Sequence, residues 1–320
     1  MRTYLVAFLM ALGIAAILTA PVLHLSRRWR LFDPPDGDRK IHTNPMPRTG
    51  GISIAFGFAA PLVSLLFWGN NFTLELRDDK ARIAAFFVGL LSILALGVYD
   101  DIKGCGAWGK LLVQSAVAIL LWQAGLRFGT VSLFGNSYEF GLSSLPLTIL
   151  WVTGIINAMN LIDGLDGLAA GVAFFAAAAL FVLAMQDANT MLGLFAAALA
   201  GSVLGFLFYN FSPALIFMGD SGSMTIGYVF ATAALWSACK RSTALALLLP
   251  VLALGLPIAD TGLAFVRRAI SGRSPFHSDR KHIHHRLLDM GLSQRQAVLL
   301  LYLVCCVLTA AVIMIRRWAW

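Results

Sequence analysis

The sequence predicts an all-α polytopic membrane protein with about ten transmembrane helices, forming a single integral-membrane domain over residues 1–320. Hydrophobic residues make up 59% of the chain and charged residues only 12%, and the mean hydropathy is +0.79. A soluble domain carries about 25% charged residues, so this chain has too few to cover itself in water. Backbone within lipid must satisfy its own hydrogen bonds, which favours helices.

Ten apolar runs carry this prediction. They lie near 4–23, 51–69, 83–99, 111–126, 145–159, 168–185, 191–209, 223–238, 244–266 and 297–315. The first run has about 20 residues, too many for a signal peptide, and basic residues follow it at Arg27, Arg28 and Arg30. We interpret it as a retained span.

The distribution of basic residues predicts the orientation. The chain has 24 Lys and Arg against 16 Asp and Glu, a net charge of +8. Fifteen of the 24 lie in segments 24–50, 100–110 and 267–296. By the positive-inside rule these segments are cytoplasmic, so both termini are expected to be periplasmic.

Two local patterns predict further elements. Thr130–Phe140 alternates apolar and polar residues around Gly135-Asn136, which predicts a short external β-hairpin. Gly291, Ser293 and Gln296 predict a helix end followed by a capping box at the start of the last span.

Acidic residues cluster where spans end. Asp100 and Asp101 end the third span, Asp163 and Asp166 follow the fifth, and Asp220 precedes the eighth. The predicted topology puts all five on the cytoplasmic face. Each alone is explained by helix capping or charge balance, but five on one face with few cations nearby indicate a metal site. Oxygen ligands favour Mg²⁺, or Mn²⁺, over zinc.

Two basic segments are candidates for phosphate binding. Segment 37–52 combines Lys40 with the pair Gly50-Gly51, which would let backbone approach a bulky ligand, although a basic loop that only sets topology has the same composition. Segment 273–286 is rich in His, Arg and Lys, a composition that suits phosphate oxygens better than zinc. Asp260, inside the ninth run, is either functional or paired with a nearby arginine, Arg267 or Arg268.

At these residues the chain resembles the bacterial polyprenyl-phosphate N-acetylhexosamine-1-phosphate transferases, which are glycosyltransferase family 4. The matching stretches are DRKIHTNPMPRTGGI (38–52), VYDDIKG (98–104), NAMNLIDGLDGLAAG (157–171), NFSPALIFMGDSGSM (210–224) and SPFHSDRKHIHHRLL (274–288). The HIHHRL form is similar to the branch that uses UDP-N-acetylglucosamine for O-antigen, common-antigen or teichoic-acid synthesis. The chain departs from the family at 104–106, where Gly-Cys-Gly stands in place of a further Asp.

The resemblance implies transfer of a sugar 1-phosphate from a UDP-N-acetylhexosamine to undecaprenyl phosphate at the cytoplasmic face of the inner membrane, with release of UMP. It also implies a role for each matching residue. Asp220 would bind Mg²⁺; Asp100, Asp101 and Lys110 would be catalytic; Lys40, Asn160, Asp163, Asp166 and Asn210 would bind the nucleotide; and His282, His284, His285 and Arg286 would contact phosphate and sugar.

Three alternatives remain open at this point. The peptidoglycan branch of the family uses UDP-N-acetylmuramoyl-pentapeptide. A nucleotide-sugar or cation transporter would also need charged residues, but transporters usually show inverted repeats and midplane charges. A non-catalytic protein that binds the lipid carrier is the third. We expect no nucleic-acid partner, and the resemblance is compatible with a homodimer.

Overall fold

A computed structural model of the chain describes residues 1–33, 46–65, 67, 79–133, 136–240, 254–270 and 282–318. Within these ranges the helices are α1 Arg2–Arg28, α2 Gly51–Leu65, α3 Lys80–Lys103, α4 Ala107–Gln123, α5 Ser144–Ile162, α6 Leu168–Gln186, α7 Thr190–Asn210, α8 Gly219–Lys240, α9 Gly255–Ile270, α10 Ile283–Asp289 and α11 Gln294–Trp318. The short strands are β1 Phe32–Asp33, β2 Met46–Pro47, β3 Thr130–Leu133 and β4 Asn136–Glu139, and a 3₁₀ turn covers Gly141–Ser143.

The multi-pass helical class is confirmed. Each predicted apolar run overlaps a long helix, although part of the ninth run, 244–253, lies outside the described residues. Among the described residues, six helical segments are long and apolar enough to cross a membrane: Arg2–Arg28, Lys80–Lys103, Gly141–Ile162, Leu168–Gln186, Thr190–Asn210 and Gln294–Met314. The total of ten spans and the side of the termini stay predictions.

Helices α7 and α8 form the centre of the bundle. α7 packs against α1, α2, α6 and α8, and α8 packs against α2, α3 and α5. A Cβ atom at Gly201 or Gly205 of α7 would overlap the backbone carbonyl oxygen of Phe8 or Leu12 in α1. Small residues allow membrane helices to approach this closely. The van der Waals contacts that result stabilise helix association, since lipid provides no hydrophobic driving force between helices.

Both predicted local elements are present. Strands β3 and β4 pair antiparallel, with Leu133 opposite Asn136, so the connection lies at 134–135, outside the described residues and one position before the predicted turn. At the start of α11 the backbone N–H of Ser293 donates to Gln296 Oε1 at 2.9 Å, and Gln296 N–H donates back to Ser293 Oγ at 3.4 Å. The capping box is therefore confirmed.

The paired glycine at 50–51 makes its close approach to the chain itself. Gly50 N–H donates to the Phe217 carbonyl at 3.1 Å, and Gly51 N–H donates to the Met218 carbonyl at 2.9 Å. A Cβ atom at Gly51 would overlap the backbone of Gly222. The glycines thus hold this segment against the start of α8, rather than leaving room there for a ligand.

Candidate active site

Three helix ends meet at the candidate site because α8 packs against both α3 and α5. Asp100 and Asp101 lie in the last turn of α3, Asp220 lies in the first turn of α8, and Asp163 follows α5. Contact between α3 and α8 is close because a Cβ atom at Gly97 would overlap the Ser221 backbone. Acids that are more than 100 positions apart in the sequence are thus brought together.

Lys110 joins two of these acids. Its Nζ lies 2.5 Å from Asp100 Oδ2 and also forms an ion pair with Asp220 Oδ2. Asp100 Oδ1 accepts the backbone N–H of Cys105 at 2.5 Å, so one oxygen of Asp100 has a partner in the α3–α4 connection and the other has a partner in α4. The three side chains are largely buried, which strengthens their electrostatic interaction.

Asp101 caps the beginning of α8. Its side chain is fully buried, and its two oxygens accept the backbone N–H groups of Asp220 at 2.8 Å and Ser221 at 3.1 Å. A carboxylate at a helix N-terminus satisfies free N–H groups and the positive end of the helix dipole. Arg48 Nε lies 4.0 Å from Asp101 Oδ1. Asp101 therefore fixes the backbone that carries Asp220.

Asp163 lies in an environment of negative charge. Burial raises the pKa of its carboxyl to about 8, and the charges of Asp220 and Asp101 act in the same direction. Asp166, three residues on, accepts the Ala214 N–H at 3.1 Å and so contacts the connection between α7 and α8. The turn after α5 thus faces the acidic cluster at Asp163 and holds a neighbouring loop at Asp166.

The two predicted asparagines make different contacts. Asn160 donates to Ser223 Oγ at 2.9 Å and lies beside the carboxylate of Asp220. Asn210 is buried, accepts the Gly167 N–H at 3.1 Å and donates to the Ile216 carbonyl at 2.9 Å. Asn210 therefore has a clear structural contribution, and its contact with a nucleotide stays a prediction.

The histidine block, formed by His282, His284 and His285, contacts the turn after α5 through His284. His284 is buried and its Nε2 lies so close to Gly164 that a Cβ atom there would overlap the ring. Burial, together with the charges of His285 and His282, lowers the pKa of His284 to about 4. His284 is consequently neutral at pH 7, so it brings hydrogen-bonding capacity but no positive charge to this segment. Arg286 is exposed, and Lys40 lies outside the described residues.

Asp260 contacts the histidine block and not only its own helix. Its Oδ2 lies 2.8 Å from His282 Nδ1, and its Oδ1 accepts the Ile283 N–H at 2.9 Å. Both Asp260 and His282 are buried. The sequence suggested Arg267 or Arg268, and not a histidine, as the partner of Asp260. The sequence between α9 and α10 gives no indication that His282 packs against α9.

The donor set at the acidic cluster suits a hard divalent cation. Four carboxylates, from Asp100, Asp101, Asp163 and Asp220, lie near two cations, Lys110 and Arg48. Among the described residues no group of three or more His, Cys, Asp or Glu forms a complete metal cage. Mg²⁺ does not need one, since it is commonly held by one or two carboxylates together with substrate phosphates and water.

Sequence comparison gives consistent matches. The family model for glycosyl transferase family 4 matches residues 83–238. A probable undecaprenyl-phosphate N-acetylglucosaminyl 1-phosphate transferase of Bacillus subtilis is 36% identical over 97% of this chain and 84% of its own. A decaprenyl-phosphate N-acetylglucosaminephosphotransferase of Mycolicibacterium smegmatis is 37% identical over 83% of this chain and 71% of its own. The undecaprenyl-phosphate alpha-N-acetylglucosaminyl 1-phosphate transferase of Escherichia coli K12 is 27% identical over 89% of this chain and 77% of its own.

Proposed function

The chain belongs to glycosyl transferase family 4, and on this premise we propose that it transfers N-acetylglucosamine 1-phosphate from UDP-GlcNAc to undecaprenyl phosphate. The products are UMP and a lipid-linked pyrophosphate sugar. The observation that supports this most is the Lys110 ammonium shared by Asp100 and Asp220, a charged centre at the meeting point of three helix ends. The relatives' names supply the sugar and the lipid carrier.

The N-acetylglucosamine branch is preferred to the muramoyl-pentapeptide branch. Relatives from three genera carry N-acetylglucosamine in their names, and they match this chain over most of its length. A transporter is a weaker alternative, because the acids lie at helix ends rather than along the bundle axis.

The main barrier to this reaction is repulsion between two anions. A phosphate monoester has a second pKa of about 6. The lipid phosphate is therefore mostly a dianion at pH 7 and needs little deprotonation by a base. Lys110 and Arg48 offset the repulsion between the lipid phosphate and the donor pyrophosphate. Positioning and charge neutralisation usually contribute most to phosphoryl transfer.

The contacts of Asp100 favour direct attack by the lipid phosphate. One of its oxygens accepts the Cys105 N–H and the other contacts Lys110, so its orientation is fixed. A carboxylate that formed a covalent phosphosugar would have to give up one of these contacts. Asp100 instead orients Lys110 and accepts any proton that the lipid phosphate still carries.

Asp220 would hold Mg²⁺, and when bound the ion supplies charge neutralisation at the donor pyrophosphate. Asp101 maintains Asp220 in position through the two N–H groups at the start of α8. Asn160, beside Asp220, and Asp163 are the groups best placed to meet the nucleotide. His284, which lies against Gly164 in the turn after α5, and its neighbours would contact the sugar and phosphate.

The site faces the cytoplasm of the inner membrane in this proposal, because UDP-sugars are cytoplasmic and the basic segments flank it. A cysteine placed at 136 in a cysteine-free variant should react with an impermeant maleimide in intact cells, whereas one placed at 289 should not. Reaction at 289 and protection at 136 would show that the protein has the opposite orientation.

The reaction is tested with purified protein, UDP-GlcNAc, undecaprenyl phosphate and Mg²⁺, measuring UMP. Release of UMP should require both the sugar nucleotide and the lipid. UDP-N-acetylmuramoyl-pentapeptide in place of UDP-GlcNAc should give no UMP above background. Preference for the muramoyl donor would move the protein to the other branch, and absence of UMP with either donor would contradict the proposal.

A further inference from the structure

The Asp260 carboxylate makes two contacts with the same short segment, and these contacts differ in kind. Oδ1 accepts the backbone N–H of Ile283 at 2.9 Å, at the first position of α10. Oδ2 lies 2.8 Å from Nδ1 of His282, the residue immediately before that helix. The first contact fixes where α10 begins, and the second fixes the His282 ring.

The histidine that Asp260 contacts is connected to the candidate site. The His282 and His284 rings are stacked, with centroids 5.8 Å apart and planes 6° from parallel. His284 in turn lies against Gly164, the neighbour of Asp163. A displacement of the His282 ring would therefore be transmitted through His284 to the turn that contains Asp163.

We propose that Asp260 is a positioning residue for the transfer reaction, and that it acts by holding His282 in one orientation with the proton on Nδ1. A carboxylate can only accept a hydrogen bond, so Nδ1 must carry the proton in this pair. Nε2 is then the ring nitrogen that His282 presents to the donor's sugar or phosphate. A partner on one ring nitrogen commonly sets the role of the other in this way.

The proposal rests on the proposed function for its effect on catalysis, but not for its effect on the ring. Asp260→Asn is the informative change because it preserves shape and reverses the hydrogen bond. The amide oxygen can still accept the Ile283 N–H, which has a fixed direction. The amide NH₂ then faces Nδ1 and donates to it, which moves the ring proton to Nε2.

The first measurement is the ¹⁵N chemical shift of the His282 ring in histidine-labelled protein in detergent, assigned with a His282→Gln variant. In the wild-type protein Nδ1 should be protonated, and in Asp260→Asn it should be unprotonated. An unprotonated Nδ1 in the wild-type protein would overturn the proposal, and this holds even if Asp260→Asn fails to fold. The signal needs no substrate, so it tests the pair whether or not the proposed reaction is correct.

The second measurement is steady-state kinetics with each substrate varied. Asp260→Asn should lower kcat/KM for UDP-GlcNAc by at least about tenfold, while KM for undecaprenyl phosphate stays within about twofold of wild type. In a His282→Ala background the same substitution should change kcat/KM by less than about twofold, because the group it acts through is gone. Effects that simply multiply in the double variant would show that Asp260 serves only to cap α10. Asp289→Asn, the same chemical change at the exposed end of α10, is the matched control and should leave both constants unchanged.

Discussion

Lys110 Nζ lies 2.5 Å from Asp100 Oδ2, although the two residues belong to different helices joined by a three-residue connection containing Gly104 and Gly106. Gly104 has a φ of 76°, a backbone conformation that favours glycine, and it turns the chain so that α4 returns beside α3. The same ammonium contacts Asp220 on α8. The glycine-rich connection, where the family resemblance would have predicted another Asp, is therefore what brings a cation to the acids.

Replacing Lys110 by Met should remove the charge that Asp100 and Asp220 share while keeping most of the side-chain volume. We expect kcat to fall by on the order of 10²–10³-fold, because a buried electrostatic group at the reacting phosphates is lost. Lys103→Met is the control, since Lys103 is an exposed cation over the Tyr99 ring at the end of α3. Equal effects of the two substitutions on turnover would contradict a specific contribution of Lys110.

Asp220→Asn tests the metal proposal. The substitution should lower turnover by on the order of 10²-fold or more and raise the Mg²⁺ concentration needed for half-maximal rate, because a ligand charge is lost. Excess chelator should abolish wild-type activity, and added Mg²⁺ should restore it. Asp79→Asn, which breaks the Asp79–Arg82 pair near the start of α3, is the control and should have little effect. Full wild-type activity in chelator would contradict the metal proposal.

The raised pKa of Asp163 predicts that the folded protein becomes less stable as pH rises. Its carboxyl pKa is about 8 in the folded protein and about 3.8 when exposed, so the folded state binds this proton more tightly. The stabilisation from the protonated Asp163 carboxyl is complete below about pH 4 and is lost as pH rises through about 8. Asp163→Asn is permanently neutral and should escape this loss.

The measurement is thermal unfolding in detergent with chelator between pH 5 and pH 9. The melting temperature of Asp163→Asn should exceed that of wild type by an amount that grows with pH. Asp289→Asn, at an exposed position, should show no such trend. A difference between wild type and Asp163→Asn that is independent of pH would contradict the cause assigned to the raised pKa.

Gly164→Ala should disturb the histidine block without disturbing the fold. The added methyl group overlaps the buried His284 ring, and the ring must move away from the Asp163 turn. We expect kcat/KM for UDP-GlcNAc to fall by about tenfold or more, as misplaced active-site groups commonly cause. Gly154→Ala on α5 is the control, because nothing lies within 4 Å of its new Cβ and alanine favours helix. Wild-type kinetics in Gly164→Ala would show that contact between His284 and the turn is not needed.

The sequence was sufficient for features that depend on local pattern. Apolar runs gave the helices, alternation gave the β3–β4 hairpin, and the spacing of Ser293 and Gln296 gave the capping box. The grouping of Asp100, Asp163 and Asp220 followed from their positions at helix ends, because alternating spans return such ends to one face.

Contacts between elements that are distant in the sequence could not be predicted from local patterns. Asp101 caps α8 by accepting the N–H of Asp220, 119 residues away, and its own neighbourhood in the sequence does not identify that partner. The pairing of Asp260 with His282 depends on how α9 and α10 meet in space. The neutrality of His284 depends on burial, whereas composition alone suggested a cationic segment.

In the proposed reaction a sugar phosphate, and not a sugar alone, moves to the lipid by direct attack. UDP-GlcNAc labelled with ³²P at the β-phosphorus tests this when incubated with delipidated enzyme, Mg²⁺ and either no acceptor or undecaprenyl phosphate. With acceptor, the label should enter the lipid product in a one-to-one ratio with the UMP released; without acceptor, neither labelled protein nor UMP should form. Label that remains in released UDP would contradict phosphosugar transfer, and a stoichiometric burst of UMP with labelled protein in the absence of lipid would contradict direct attack.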